Sequence, residues 1–373
     1  MKKAGVIIAM MSLVVLVSGF QDAPEIPIIE PESELALNME MYDLAWHPNG
    51  HLLAVATQVG IRIFDEHLQE VDALTTDAGI FASVTWSPDG DQLAAGGQVD
   101  FPMIYVWNYD AVDQIFTVHT SFSVNNNPDR QDVVMVFLLE WSPDGTKLAS
   151  QSTFLPERNP SIIGRVQIWD TTTWESNPDQ VAEVLNFVRV LVWNPESTAI
   201  AVGYEGGAFA YYVDDLSSAW SVYLATDPSG VAWSSTNLVV VPGYNTLIID
   251  GVTGQTIYAY DFTEYVYYGN AWNPDSRYLF VDVSDFDHPN NSTSGILDVT
   301  TGEIIRTFEL LYRRWAMDWT QDGARIAVGT QDGIIKIWNV SDLPDQPSNL
   351  PTITPYPTDT PVPMMTPTPS GDG

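Results

Sequence analysis

Seven times along this chain a Trp closes an apolar stretch and is followed at once by a polar turn. The copies are Trp46 (WHPNG), Trp86 (WSPDG), Trp141 (WSPDG), Trp193 (WNPES), Trp233 (WSSTN), Trp272 (WNPDS) and Trp319 (WTQDG). Their spacings are 40, 55, 52, 40, 39 and 47 residues. A unit that recurs in this way cannot cover its own apolar surface and must stack on its neighbours, which restricts the possible architectures more than any other feature. Helical repeats are excluded by what lies between the anchors. Each turn is followed by a short apolar strand, such as Leu52 to Ala56, Leu93 to Ala95, Ile200 to Val202 or Ile326 to Val328. A second strand rich in β-branched and aromatic residues follows, as in IYVWN (Ile104 to Asn108), VQIWD (Val166 to Asp170) and IKIWN (Ile335 to Asn339). A further strand comes after a polar turn, clearest at Asp250 to Gly254 and Asp298 to Gly302, where Gly supplies the positive φ that the turn needs.

Four strands per repeat predict an all-β fold, a seven-bladed β-propeller of four-stranded antiparallel blades. The last repeat ends at its third strand, Ile334 to Asn339, and Glu34 to Asn38, just ahead of blade one, has the position of the missing fourth. Pairing these two closes the ring and removes a free sheet edge. The WSPDG turns and the IWD or IWN strand ends resemble the WD40 repeat family over Glu34 to Asn339, with blades two, three and seven the good copies and blades four to six divergent. The family's Gly-His dipeptide is missing throughout. Of its Asp-His-Ser/Thr-Trp hydrogen-bond network, Asp100 with Trp107 and Asp332 with Trp338 match the Asp and Trp positions. Stability is therefore expected to rest on aromatic packing between blades.

Composition sets the class of partner. Fourteen Lys and Arg against 48 Asp and Glu give a formal charge of -34, a field that repels phosphate backbones and excludes nucleic acid as a partner. Lys2 and Lys3 precede an apolar run from Ala4 to Val17 that is too short for a membrane span and reads as a secretory signal. Phe20 stands where a lipidated Cys would be in a lipoprotein signal, and the chain has no Cys at all. An exported protein of this kind is held together by its core. From Pro344 onward nine Pro and six Thr fall within 30 residues, the composition of an extended spacer. The expected organisation is a signal peptide at 1–19, a linker at 20–33, the propeller at 34–340 and a Pro/Thr-rich tail at 341–373. The mature protein is expected to be secreted or cell-surface, not membrane-spanning, and a monomeric ring.

Catalytic chemistry has little to stand on. The five His are His47, His51, His67, His119 and His288, none at a helical metal spacing. His47 and His51 flank one hairpin turn, which reads as solvated. No G-x-S-x-G motif and no phosphate-binding Gly loop occur. Asp282, Asp285 and Asp287, with Asn290 and Asn291, form a calcium candidate without the Gly and terminal Glu of an EF-hand, and an acidic loop is the plainer reading. No cofactor is expected.

The resemblance places the loops that join the fourth strand to the next first strand, and the second strand to the third, on one rim, the top. The long segments Phe122 to Val134, Thr153 to Gly164 and Ser284 to Ser294 all fall there. Four residues before the repeat Trp, the register that reaches this rim, stand Tyr42, Phe137, Arg189, Tyr268 and Trp315. Arg313 and Arg314 adjoin Trp315, and Arg130 and Arg158 lie in the long loops. Arg and aromatic side chains are the usual anchors of interfaces, while on so acidic a ring the Arg also neutralise nearby carboxylates. The binding candidates are thus Trp315, Arg313, Arg314, Arg189, Tyr268, Tyr42, Phe137 and Arg158. The expected function is binding or scaffolding of a protein or cell-surface ligand through the top rim, without catalysis. The alternative is a propeller hydrolase or lyase acting on a carbohydrate or lactone, with carboxylates at the channel mouth.

Overall fold

Most strands of a half-buried sheet alternate in polarity, but the second strands here are apolar on both faces, as in LLAVAT, AIAVGY and RIAVGT. A strand needs that pattern when its sheet is covered on both sides. In a computed structural model of the chain, residues 28–344 are described except for 77–78, 99–101, 125–132, 155–162, 185–186, 205, 224–229, 243–244, 262–264, 286–292, 310–313 and 331–332. Leu52–Thr57, Ala199–Tyr204, Leu238–Val241 and Arg325–Thr330 are buried along almost their whole length. All regular structure among the described residues is strand, arranged in seven four-stranded antiparallel sheets. Six are meanders of consecutive strands. Their first members and that of the last sheet are Met41–Trp46, Ile80–Trp86, Val133–Trp141, Val188–Trp193, Ala232–Trp233, Tyr265–Trp272 and Arg314–Trp319. Each touches the next around a closed circle, so these are the innermost strands of a seven-bladed propeller.

The seventh sheet is completed from the other end of the chain. Ser33–Ala36 pairs antiparallel with Ile334–Asn339, with Leu35 opposite Ile335 and Glu34 opposite Lys336. The ring closes as expected from the sequence. The strand ends at Ala36 rather than Asn38, because Asn38 takes a left-handed φ of 54° and turns the chain into blade one. Both ends lie against blades six and seven. The Ile29 N–H donates to the Thr307 carbonyl and the Trp338 indole to Ile29 itself, while the Tyr278 hydroxyl donates to Pro344.

The turn after each Trp explains its motif. Its fourth residue is left-handed in all seven blades: Gly50, Gly90, Gly145 and Gly323 in four, and Ser197, Asn237 and Ser276 in the divergent three. The residue after Trp holds the turn from inside. Ser87, Ser142 and Thr320 each accept the N–H five residues on and donate to the turn Asp. Asn194 and Asn273 do the same work with a side-chain carbonyl that accepts two backbone N–H groups. Blades four and six therefore keep the geometry with different chemistry, while in blade five the Ser234 hydroxyl accepts the Leu238 N–H.

Seven apolar clusters make up the core, and each draws its residues from two consecutive blades. Ile61, Ile63 and Leu74 of blade one, for example, pack with Phe81, Trp86 and Leu93 of blade two. The repeat Trp sits in these seams. The indole N–H of Trp193, Trp272 and Trp319 donates to the carbonyl one residue before the preceding blade's Trp, at Glu140, Ala232 and Ala271, over 3.0 to 3.1 Å. Those of Trp46, Trp86 and Trp141 have no hydrogen-bond partner among the described residues. One arm of the family's network exists in blade three, where the Trp169 indole donates to Ser150 at 2.8 Å. Asp100 and Asp332 lie outside the described residues.

Trp193→Phe should therefore lower stability by about 1 kcal/mol, the net value of one hydrogen bond, beyond its packing loss. Trp86→Phe removes a donor that bonds nothing and should cost less. Trp193→Ala should cost about 3–5 kcal/mol. Urea midpoints of the three variants check this order, and equal midpoints for the two Phe variants would contradict the assignment.

Candidate functional site

Along six of the seven innermost strands the ladder to the second strand slips by one residue near the rim where the strand begins. The breaks lie between Met41 and Asp43, Phe81 and Ser83, Val136 and Leu138, Val188 and Val190, Tyr267 and Asn270, and Arg314 and Ala316. The unpaired residues are Tyr42, Ala82, Phe137, Arg189, Tyr268 with Gly269, and Trp315. A bulge bends the strand and re-aims the side chain at the extra position. The five residues grouped from their distance to the repeat Trp thus share a backbone feature, and Ala82 is a sixth without a large side chain. Blade five departs from the pattern, its innermost strand being two residues long.

Three of the side chains are described. The Tyr42 hydroxyl donates to Glu40 at 2.8 Å, and partial burial with that neighbouring carboxylate pushes its pKa up to about 12. Phe137 meets Phe187 edge to face, ring centres 5.3 Å apart, and the Arg189 guanidinium lies 6.0 Å from the centre of the Phe187 ring. Phe137 and Arg189, from blades three and four, are brought together by Phe187. No periodicity marks Phe187, which stands one residue ahead of the strand Val188–Trp193. The side chains of Arg314, Trp315 and Tyr268 lie outside the described residues, as do Arg130, Arg158 and Arg313. Of the calcium candidate, Asp282 and Asp285 belong to the strand Tyr278–Asp285, but their side chains, with Asp287, Asn290 and Asn291, are likewise outside. No group of three or more acidic or His side chains among the described residues could hold a metal.

Deeper along the same strands lies a feature with no motif to announce it. The inner edge of each blade faces the axis with unpaired backbone N–H groups, and side chains of the preceding blade cap several of them. Asp318 of blade seven accepts the Trp46 N–H at 2.8 Å. Asp43 of blade one accepts the Val84 N–H and the Ser83 hydroxyl, both at 3.0 Å, and Ser83 in turn accepts the Leu139 N–H. Glu140 of blade three takes the backbone N–H of Trp193. A relay of polar contacts so links blades seven, one, two, three and four.

Burial raises the pKa of all three acids, to about 6 for Asp43, about 7 for Asp318 and about 8 for Glu140. The N–H groups they accept oppose the shift, while mutual repulsion adds to it for Asp318 and Glu140. At the opposite rim from the bulges, a cavity of about 340 Å³ opens among Trp46, Pro48, Pro88, Trp272, Pro274, Trp319 and Gln321, with Asp318 in its wall. His47 borders it too, buried rather than solvated as its turn position suggests. Its Nδ1 accepts the Asn49 N–H, so Nε2 carries the proton and donates to the Gly90 carbonyl at 3.1 Å. The ring packs 4.6 Å from Trp86, and burial lowers its pKa. Gly90 is required beneath it, since a Cβ there would stand 2.5 Å from Nε2. With both nitrogens used, His47 fastens blade one to blade two and is not free to bind a metal.

Residues 313–339, the seventh blade, match the family model described as WD domain, G-beta repeat. No curated protein matches the chain.

The three carboxyls titrate above their unfolded values near 4, so folding favours their protonated forms. Their contribution to stability is complete below about pH 4 and is lost as pH rises through the range of about 6 to 8. The melting temperature should accordingly fall between about pH 5 and pH 8.5. Glu140→Gln, whose amide oxygen still accepts the Trp193 N–H, should flatten that fall, and the exposed Glu175→Gln should not. Differential scanning calorimetry across this range checks it, and identical pH profiles for both variants would refute the assignment.

Proposed function

We propose that this WD40-like propeller is a secreted or cell-surface scaffold that engages a protein or surface partner through the rim carrying the bulges. The observation that supports it most is the placing of Phe137, Phe187 and Arg189 at the seam of blades three and four, on bulged strand starts. An aromatic pair with an exposed Arg is the composition of an interface anchor, and a ring closed through seven packed seams holds it in place at little entropic cost. WD40 propellers are commonly protein-interaction scaffolds, which supports the same reading. Trp315, Tyr268, Arg313, Arg314 and Arg158 complete the proposed face, and Tyr42 borders it. The charge of -34 favours partners with basic surfaces and disfavours nucleic acid. Export rests on the basic and apolar leader, and the Pro/Thr-rich tail serves as a spacer.

A second reading, hydrolysis or elimination on a carbohydrate or lactone, has the three axial carboxyls in its favour, since acids with raised pKa values can serve as proton donors. Their bonds to backbone N–H groups across the blade seams give them a structural role that needs no substrate. Scaffolding remains the better supported function.

The test is capture from the envelope and medium of the native organism, followed by titration of the identified partner with the purified chain. Phe137→Ala combined with Arg189→Ala should weaken binding at least about tenfold, and so should Arg314→Ala combined with Trp315→Ala. Circular dichroism confirms that the variants fold. Undiminished binding by both folded variants would rule out this rim, and turnover of a lactone or glycoside panel that disappears in Glu140→Gln would favour the second reading.

A further inference from the structure

Asp43, Glu140 and Asp318 repel one another inside the ring, and none of the three forms an ion pair among the described residues. Buried charge is ordinarily paired, as it is at Asp298, whose carboxylate meets the Arg277 guanidinium at 2.8 Å. Asp318 differs from the other two in standing in the wall of the cavity on the rim opposite the bulges. Six of the nine residues that line this cavity are Trp or Pro: Trp46 and Pro48 of blade one, Pro88 of blade two, Trp272 and Pro274 of blade six, and Trp319 of blade seven. Its volume of about 340 Å³ is at the small end of the range, about 300 to 1,000 Å³, that organic ligands occupy.

We propose that this cavity binds a small organic cation, one whose quaternary ammonium group lies against Asp318 and the Trp and Pro side chains. Charge selects a cation. The ring as a whole carries -34, a cleft focuses that field, and a positive group beside Asp318 offsets the repulsion it receives from Asp43. The walls select the kind of cation. A hard divalent ion such as Ca²⁺ takes about six to eight oxygen ligands. No group of three or more acidic or His side chains among the described residues could hold one. A primary ammonium brings three donors and is strongly hydrated. Asp318, however, already accepts the Trp46 and Trp319 N–H groups, and both nitrogens of His47 are engaged. A quaternary ammonium needs no acceptor, and its charge is attracted to indole rings. His47 adds no opposing charge, because burial favours its neutral form. The site is on the rim opposite the partner-binding face, so it is a function additional to scaffolding.

Two-dimensional NMR of the indole N–H groups of the full chain tests this, with choline chloride as the probe and NaCl holding the ionic strength constant. A pH of about 8.5 keeps Asp318 ionised. Choline should shift the signals of the cavity Trp residues in a saturable way, the Trp272 signal being identified by its loss in Trp272→Phe. The uncharged isostere of choline, with carbon in place of nitrogen, should bind at least about tenfold more weakly. Asp318→Asn, whose amide oxygen still accepts the Trp46 N–H, should weaken choline binding at least about tenfold. Equal binding of choline and its isostere by the wild-type chain overturns the proposal without any variant. So does the lack of a saturable shift up to about 50 mM choline, a concentration that detects even millimolar affinity, or undiminished binding by folded Asp318→Asn. Shifts of the same signals by a Lys-rich peptide and not by choline also overturn it, and assign the cavity to a protein partner instead. Capture of the rim's partner by Asp318→Asn should equal wild type, so the two sites fail or succeed separately.

Discussion

A single four-stranded blade leaves both faces apolar, and only the blades on either side can cover them, so the seam between blades carries the fold. Every apolar cluster in the structure spans a seam, and none belongs to one blade alone. The repeat Trp is the main element of that contact, since a large flat ring reaches from one sheet to the next. Ring closure follows from the same need. Without Ser33–Ala36 the seventh blade would present Ile335 and Ile337 at a bare edge, whereas these residues now share a cluster with Leu35, Leu37 and blade one.

The seams are not equivalent. Three Trp indoles bond to the preceding blade and three have no hydrogen-bond partner among the described residues, while the axial carboxyls link blades seven, one, two, three and four. The seams of blades seven and one and of blades one and two are fastened partly through acids that favour their protonated state, those of blades five and six and of blades six and seven through indole-to-carbonyl bonds indifferent to pH, and the seam of blades three and four through both. Capping the inner edges with carboxyls satisfies backbone N–H groups that would otherwise face the axis unpaired, but it places three acids close together in a partly dry environment. Their raised pKa values follow from that compromise.

The candidate rim was legible as a position and not as a shape. Counting back four residues from each Trp selects Tyr42, Phe137, Arg189, Tyr268 and Trp315, and the same count lands on the bulges because the turn and the bulge are fixed at the two ends of one short strand. Phe187 escaped that count, since it lies outside the strand, one residue ahead of Val188–Trp193. His47 escaped for a related reason. Its turn looks solvated by itself, and only the approach of Gly90 from the next blade buries it. The axial acids carry no motif: Glu140 and Asp318 stand directly before the repeat Trp, where the other blades have Ala, Thr or Val, Asp43 stands three residues before it, and the three meet only when the ring is closed.

The sequence by itself determined the number of blades, their four-stranded make-up and the exchange of the last strand, because these follow from local periodicity, turn chemistry and the count of anchors. Even the divergent turns of blades four to six were fixed locally, by a Ser or Asn able to take the left-handed backbone that Gly takes elsewhere. Tertiary structure alone decided which polar groups face one another across the seams. That choice rests on the relative height and rotation of neighbouring blades, set by the packing of Trp and aliphatic side chains from sheets some 40 to 55 residues apart in the chain. Contacts of that separation leave no periodic trace in the sequence, whereas the strands and turns they join leave a plain one.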